Sequence, residues 1–526
     1  MVSRVKYLTL LLSAILVIAG IPSVSVISQS LPPDRQAFQD ATRIKEPDKK
    51  IAALEKFIAD FPKSVVVSSA HLQIFETLVK TTPDQKDRVL EQAAKAIEKT
   101  PESGRPFIYD QLATRLFQSG VLLDEAEKFS NKAITLTDEE LAKQAKLRKA
   151  GNYATLGRIN LKQGKLKDAE RHLKLAKEFN PLLSAASIGM AELLAKQGKD
   201  KEAIEAYANA AASGQLPKES REQFEVLYAK ANNGSMKGFN EFLDAKYLKL
   251  YPSPVTVQHY TPSAKRTNHT ALAEVFTGSG CPPCVAADLG FDAMMERYKR
   301  EELTVLMYHL HIPRPDPMTN LATQARAKYY KVESVPSYVV DGRSAVGGGS
   351  REMTQNFYDR VNPDIEKLLE KPSGADVKLD VALENTTVKA RVALSNINTE
   401  SDSLKLQIVL AEERLRFQGE NGIRFHPMVV RSIAGPEFAG ITLKDKSNQN
   451  VEWTFELPAI SEAIKKHLDD FEMTPFRGES YTFNEKKFQI DPTNLTVVAF
   501  LQDDKTKNVL QAVSIKVRPV VASTGN

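Results

Sequence analysis

Along residues 35–250, apolar positions recur every three to four residues in stretches rich in Ala, Leu, Lys and Glu. That is the spacing of one buried helix face, and it predicts helix after helix. A unit repeats within it. Tyr153, Leu156, Gly157, Gly164, Ala169, Leu173, Ala176 and Pro181 form one set, and Gly198, Ala203, Tyr207 and Ala210 form a second 34 residues on. Weaker sets precede them: Gly120, Ala126 and Ala133, offset by 43 residues, and Ala53, Phe57 and Pro62. Residues 251–268 carry Pro252, Pro254 and Pro262 with no apolar periodicity and read as a linker. From 269 to 372 the pattern changes to short apolar runs alternating with helical stretches. Strands are predicted at Ala271–Thr277, Leu303–His309 and Ser337–Val340. Helices are predicted from Cys281 to about Lys299, over Asn320–Lys331 with Thr319 or Asp316 as cap, and over Glu352–Leu369. Asp341-Gly342 has the composition of a hairpin turn. From 374 to 520 the period becomes two, as in Val377, Leu379, Val381, Leu383 and again in Leu404, Leu406, Ile408, Leu410. Val451, Trp453, Phe455 and Leu457 repeat it, and a late hairpin joins Val497–Leu501 to Val509–Val517. This predicts an antiparallel β-sandwich interrupted by one helix over Ser461–Phe471.

A length of 526 residues agrees with several domains, and 42% hydrophobic with 26% charged residues is ordinary globular composition. A net charge of +5 is small for this length and speaks against a dedicated nucleic-acid binder. At the N-terminus Arg4 and Lys6 precede an apolar run from Leu8 to Ile21, followed by Ser23, Ser25 and Ser28. Residues 1–28 therefore read as an export signal or, if retained, as a membrane anchor. Either way the remainder is expected outside the cytoplasm, periplasmic or secreted.

The chain holds two cysteines, and both lie in Cys281-Pro282-Pro283-Cys284. Structural staples would be scattered in several pairs. Two thiols separated by two residues at a helix start suit reversible exchange. A thiolate attacks a disulfide sulfur, and a neighbour resolves the mixed disulfide. The helix N-terminus favours the thiolate, which makes Cys281 the candidate nucleophile and Cys284 the resolving thiol. Pro282 and Pro283 are tolerated there because first-turn N–H groups have no intrahelical partner to lose. No second Cys pair or paired His at zinc spacing accompanies the motif, and neither a metal nor another cofactor is assigned.

Two resemblances follow. Residues 150–217 strongly resemble tetratricopeptide-repeat proteins, whose helix-turn-helix unit recurs about every 34 residues; 35–149 do so loosely. Such an arm implies a concave surface for a partner protein, or a packing arm with no ligand of its own. The strand Leu272-Ala273-Glu274-Val275-Phe276, the CPPC helix and Val335-Pro336 before a strand resemble the thioredoxin superfamily over about a fifth of the chain. That resemblance implies a cis proline at Pro336 facing the cysteines, with Val335 offering its backbone to substrate. It also implies a buried acid on the preceding strand as proton shuttle for the second cysteine. Glu274 is the one acid there, one residue out of register, and is otherwise a strand-end carboxylate reaching solvent. Pro-Pro replaces the family's usual Gly-Pro, and Gly280 stands where an aromatic is frequent, so the direction of exchange stays open.

His309 and His311 alternate and would share a face near the cysteines if the strand extends that far. They line the active-site rim or, as in some thioredoxin relatives, join the thiolates around copper. Tyr308 and Asp316 are candidates for the same rim, whereas His426 and Arg424 read as structural. The leading expectation is an exported thiol-disulfide oxidoreductase acting on protein substrates, with the repeats and the β domain holding them. The alternatives are a non-catalytic repeat scaffold and a copper-binding protein.

Overall fold

The computed structural model describes residues 31–137, 142–478 and 480–518, so the proposed signal segment 1–28 lies outside the described residues. The chain divides into two units, Met1–Pro101 and Glu102–Asn526. The first contains α1 (Pro33–Thr42), α2 (Pro47–Asp60), α3 (Val67–Thr81) and α4 (Lys86–Glu98). Leu54, Phe57, Ile74, Phe75, Leu78 and Val89 are buried in it, one stripe from each of three successive helices.

The second unit opens with α5 (Arg105–Ser119), α6 (Leu123–Leu136), α7 (Ala142–Lys162), α8 (Leu166–Phe179), α9 (Ser184–Lys196) and α10 (Asp200–Ser213). Consecutive helices pack as hairpins, α5 on α6, α7 on α8 and α9 on α10. The hairpin turns need a left-handed residue, which Gly120, Gly164 and Gly198 supply at φ of 71°, 76° and 72°. Adjacent hairpins share a core: Leu161, Ala169, Leu173 and Leu193 cluster across α7, α8 and α9. Leu173 is the shared knob. A Cβ added at Gly157 would stand 2.7 Å from its Cγ, and one at Gly189 would stand 2.6 Å from its Cδ2. These are tetratricopeptide-like helical repeats, extended by α11 (Lys218–Ala231) and α12 (Phe239–Leu250).

After residue 250 the chain runs irregularly, yet it is not loose. Val255 is buried in the next core, and the Tyr260 N–H donates to the Arg297 carbonyl at 3.0 Å. There follow β1 (Ala271–Thr277), α13 (Val285–Arg297), β2 (Leu303–His309), α14 (Leu321–Tyr330), β3 (Ser337–Val340), β4 (Arg343–Val346) and α15 (Thr354–Leu369). β1 pairs parallel to β2 and antiparallel to β3, and β3 pairs antiparallel to β4 through the Asp341-Gly342 turn. Alternation on β1 sorts its two faces. Ala271, Ala273 and Val275 pack with α13 and α15, while Leu272 and Phe276 pack on the α14 side. The cap of α14 is Asn320 rather than Thr319 or Asp316: its side chain accepts from the Thr323 N–H at 3.1 Å, and the Thr323 hydroxyl side chain completes a capping box.

The C-terminal region contains β5 (Asp376–Glu384), β6 (Thr387–Ser395), β7 (Leu404–Arg416), β8 (Phe425–Ile433), β9 (Ile441–Thr442), β10 (Gln449–Glu456), α16 (Leu457–Glu472), β11 (Leu495–Asp503) and β12 (Val509–Lys516). It is not a self-contained sandwich. One sheet runs β12-β11-β7-β8-β2-β1-β3-β4, with β8 parallel to β2 at Met307 and Val429. A smaller sheet, β10-β6-β5, faces it across Leu379, Leu383, Val388, Val392, Leu406, Ile408 and Val497. Two layers therefore exist, but the larger belongs equally to the strands that carry the cysteine turn.

Because Leu173 fills the space that a side chain at Gly157 would need, Gly157→Ala should destabilise the second unit by about 1–3 kcal/mol. Urea denaturation followed by circular dichroism measures it, and an unchanged midpoint would refute this packing.

Candidate functional site

Gly278, Ser279 and Gly280 carry the chain from β1 to the cysteines. Cys281 caps a short 3₁₀ turn, Pro282–Cys284, which runs into α13. The Cys284 N–H donates to the Cys281 carbonyl at 3.2 Å, and the two sulfurs form a disulfide with the Cα atoms 5.4 Å apart. The Val335–Pro336 peptide bond is cis, and the Val335 carbonyl oxygen lies 3.9 Å from Cys281 Sγ. The cysteine pair, Val335 and Pro336 thus stand together.

A nucleophile at a helix start is expected to point outward to solvent, and Cys281 does not. The residue stands at the helix start, but both cysteines have 0% exposure. Several loops enclose the turn. On one side Gly348 presses against the Pro283 carbonyl and Pro336, with no room for a Cβ. Gly349 donates to the Pro283 carbonyl at 2.7 Å and accepts from the Ala286 N–H at 3.0 Å. On another, Arg314 lies over Gly280. On a third, Asn421 from the β7–β8 loop donates its N–H to Ser279 O at 3.0 Å and its side-chain amide to Gly278 O at 3.4 Å.

Asp316 organises the polar side of the site. It is buried, and its carboxylate accepts from Ser279 N (2.6 Å) and Met318 N (2.8 Å) and pairs with His309 Nδ1 (2.9 Å). Burial opposes its charge, but His309 and the backbone donors outweigh it and hold the carboxyl well below the usual range. The Asp316 N–H donates in turn to His311 Nδ1 at 3.0 Å. His309 and His311 thus meet at Asp316 but do not continue one strand face, because β2 ends at His309. His311 stacks on Phe471 at 3.9 Å and lies 5.7 Å from the His467 ring, both on α16. Burial pushes its pKa down to about 4. His426 lies 5.1 Å from the His309 ring and bonds Phe417 O at 3.0 Å through Nε2; burial first, then His309, pushes its pKa to about 3. Arg424 pairs with Asp244 of α12 at 2.7 Å, and Arg416 reaches the same carboxylate at 2.6 Å. Among the described residues no group of three or more His, Cys, Asp or Glu could hold a metal ion.

Glu274 is not placed as a proton shuttle for Cys284. It shares the β1 face of Leu272 and Phe276, away from α13, because side chains alternate along a strand. There Arg326 holds it at 2.6 and 2.8 Å, with Tyr308 OH at 2.9 Å and Tyr330 OH at 2.7 Å. Tyr308, bonded to it, belongs to that face and not to the rim. Besides Asp316, the cysteine side holds a buried acid on α13, Asp288, one helical turn after Cys284, which the (i, i+4) spacing would have revealed. It accepts from Thr277 Oγ1 at 2.8 Å, and burial raises its pKa to about 7. Asn421 and Gln418 carried no sequence signal, since their loop meets the site only through the fold.

No family model matches the chain, and no curated protein matches it in sequence. Solved structures similar to its helical part include Pseudomonas aeruginosa pilF, at 16% identity and TM-score 0.29, covering 42% of this chain and 93% of that one. A thermophilic TPR protein of Thermus thermophilus has 18% identity and TM-score 0.27, covering 37% and 98%. The TPR2AB domain of yeast Sti1, in complex with a pHSP90 ligand, has 12% identity and TM-score 0.16, covering 41% and 96%. The repeat architecture is set by the helical hairpins themselves, α5–α6, α7–α8 and α9–α10.

Two expectations follow. Glu274→Ala leaves the Arg326 charge buried without its partner and should cost about 3–5 kcal/mol in urea denaturation; a cost under about 1 kcal/mol would contradict the pairing. The folded-state pKa of His311 lies below its unfolded value of about 6.5, so the unfolded chain binds the proton first and stability falls as pH drops from about 6.5 to about 4. His311→Gln removes that share, so its stability difference between pH 7 and pH 4.5 should be smaller than that of the wild type; equal differences would refute it.

Proposed function

We propose that the chain is an exported thiol-disulfide exchange protein with a thioredoxin-like module, and that its helical repeats engage the protein substrate. The observation that carries the reading is the cysteine pair at the start of α13, with the Val335 carbonyl 3.9 Å from Cys281 Sγ. The module's element order, strand-helix-strand-helix-hairpin-helix, supports it, as does the strand order β2-β1-β3-β4. In the reduced form, Cys281 thiolate attacks a substrate disulfide sulfur, forms a mixed disulfide and expels one substrate thiolate. Cys284 thiolate then attacks Cys281 Sγ and expels the second substrate thiolate. Two electrons pass to the substrate, and the Cys281–Cys284 disulfide remains. The reverse sequence oxidises a substrate dithiol. The positive end of the α13 dipole favours the Cys281 thiolate. Val335 and Pro336 border the attacking sulfur, and Pro282 and Pro283 shape the turn. His309 and Asp316 fix the Gly278–Gly280 segment through Ser279, and the basic, then apolar N-terminal run supports export.

One observation favours the second reading, a repeat scaffold with a silent redox module: neither cysteine is exposed. Insulin reduction with dithiothreitol separates the two. The wild type should speed precipitation, and Cys281→Ser should return it to the uncatalysed rate. Equal rates for the two proteins would remove the exchange reading and leave the scaffold.

A further inference from the structure

We propose that the β7–β8 loop, residues 417–423, is a latch over the cysteine turn, and that an extended polypeptide segment seated between α10–α12 and this loop releases it. The proposal rests on the exchange reading for the latch's purpose, but not for its existence. A cleft of about 690 Å³ lies here, within the range of about 300–1,000 Å³ typical of ligand sites. Phe224, Phe239 and Leu243 line it from α11 and α12, Leu216 from the α10–α11 connection, and Phe417 and Gln418 from the loop. A second, much smaller depression shares Gln215, Phe417, Asn484 and Glu485 with it and reaches Ser279 and Gly280, next to Cys281. The loop therefore stands between the cleft and the sulfurs.

Its ends are anchored, Phe417 in a cluster with Met318, Leu415 and Val429 and through its carbonyl to His426, and Ile423 by burial, but the attachments of residues 418–421 between them are few. Asn421 bonds Ser279 and Gly278 on the cysteine side. On the helical side Gln215 Nε2 donates to Gln418 O at 3.1 Å, and Gln418 Nε2 donates to Ala212 O at 3.5 Å. Arg314 and Glu420 form an exposed pair at 2.7 Å. Such neutral bonds and surface pairs each contribute little. The helical wall thus already recognises main chain, because Gln215 holds a backbone carbonyl of the latch. Gln418 Oε1, buried beside it, has no hydrogen-bond partner among the described residues. An incoming extended segment competes for the first and supplies the second: its carbonyl takes Gln215 Nε2 from Gln418 O, and its N–H satisfies Gln418 Oε1. Its apolar side chains meet Leu216, Phe224, Phe239 and Leu243, and its polar ones meet Lys218, Arg221, Glu222 and Glu225. With the helical attachment lost, Asn421 and the Arg314–Glu420 pair are what still tie residues 418–421 to the cysteine side.

Alkylation of the reduced full-length protein by N-ethylmaleimide reads access to the thiols without requiring exchange. Gln215→Ala should raise the rate about three- to tenfold, and Asn421→Ala, which keeps the main-chain bond to Ser279 O and loses the side-chain bond to Gly278 O, about twofold. Reduced, carboxymethylated ribonuclease, an unfolded chain without free thiols, should accelerate the wild type and have less effect on Gln215→Ala. Glu420→Ala, altering only an exposed pair, serves if either variant fails to fold by circular dichroism; about a twofold rise is expected. Variants alkylated at the wild-type rate overturn the latch. Faster variants with no response to the unfolded chain overturn the polypeptide seat. A protein inactive on insulin that still shows these rate changes loses the exchange reading and keeps the latch.

Discussion

The parallel pairing of β8 with β2 is the constraint on which the rest depends. Without it, β2 would be an open edge of a four-stranded sheet, with the N–H and C=O groups that face away from β1 unpaired. With it, the C-terminal strands continue the same sheet, and the β7–β8 connection emerges beside the turn from β1 to Cys281. Burial of the cysteines therefore follows from sheet topology as well as from the residues around them. The loop that encloses Ser279 is about 140 residues away in sequence and arrives because its flanking strands have nowhere else to pair.

Two buried carboxylates divide the electrostatics of this sheet between its faces. Glu274 is bound by the Arg326 guanidinium and two tyrosine hydroxyls on the α14 side. Asp316 is bound by His309 and backbone amides at the end that carries the cysteines. Its arginine and tyrosine partners make the first a strut, because breaking a buried ion pair leaves a charge without compensation. The second ties titratable imidazoles to the cysteine turn. Asp288, with one carboxylate oxygen lacking a partner among the described residues, adds an acid whose charge burial disfavours.

The strands around the cysteines were legible because each is a short apolar run bounded by Gly, Pro or charge; Ala271–Thr277 and Leu303–His309 are read to the residue. The repeats were legible because Gly164 and Gly198 mark identical turns 34 residues apart. β8 was not. It is buried on both sides over most of its length, so it lacks period-two alternation, and His426, Pro427 and Arg431 disguise it further. Missing that strand meant missing the sheet's continuity, and with it the loop over the cysteines. Glu274 was misplaced for a related reason. Strand alternation fixes which residues share a face, but not which face the cysteine helix covers; packing of α13 against Val275 decides that.

Asp244 has one further consequence. Its carboxylate receives Arg416, the last residue of β7, and Arg424, the residue before β8, so both roots of the intervening loop are fastened to one point on α12. A segment pinned at both roots swings as a flap about a fixed base; it does not peel away with its strands. Its travel is bounded by its own length, and the helical arm carries the hinge pin.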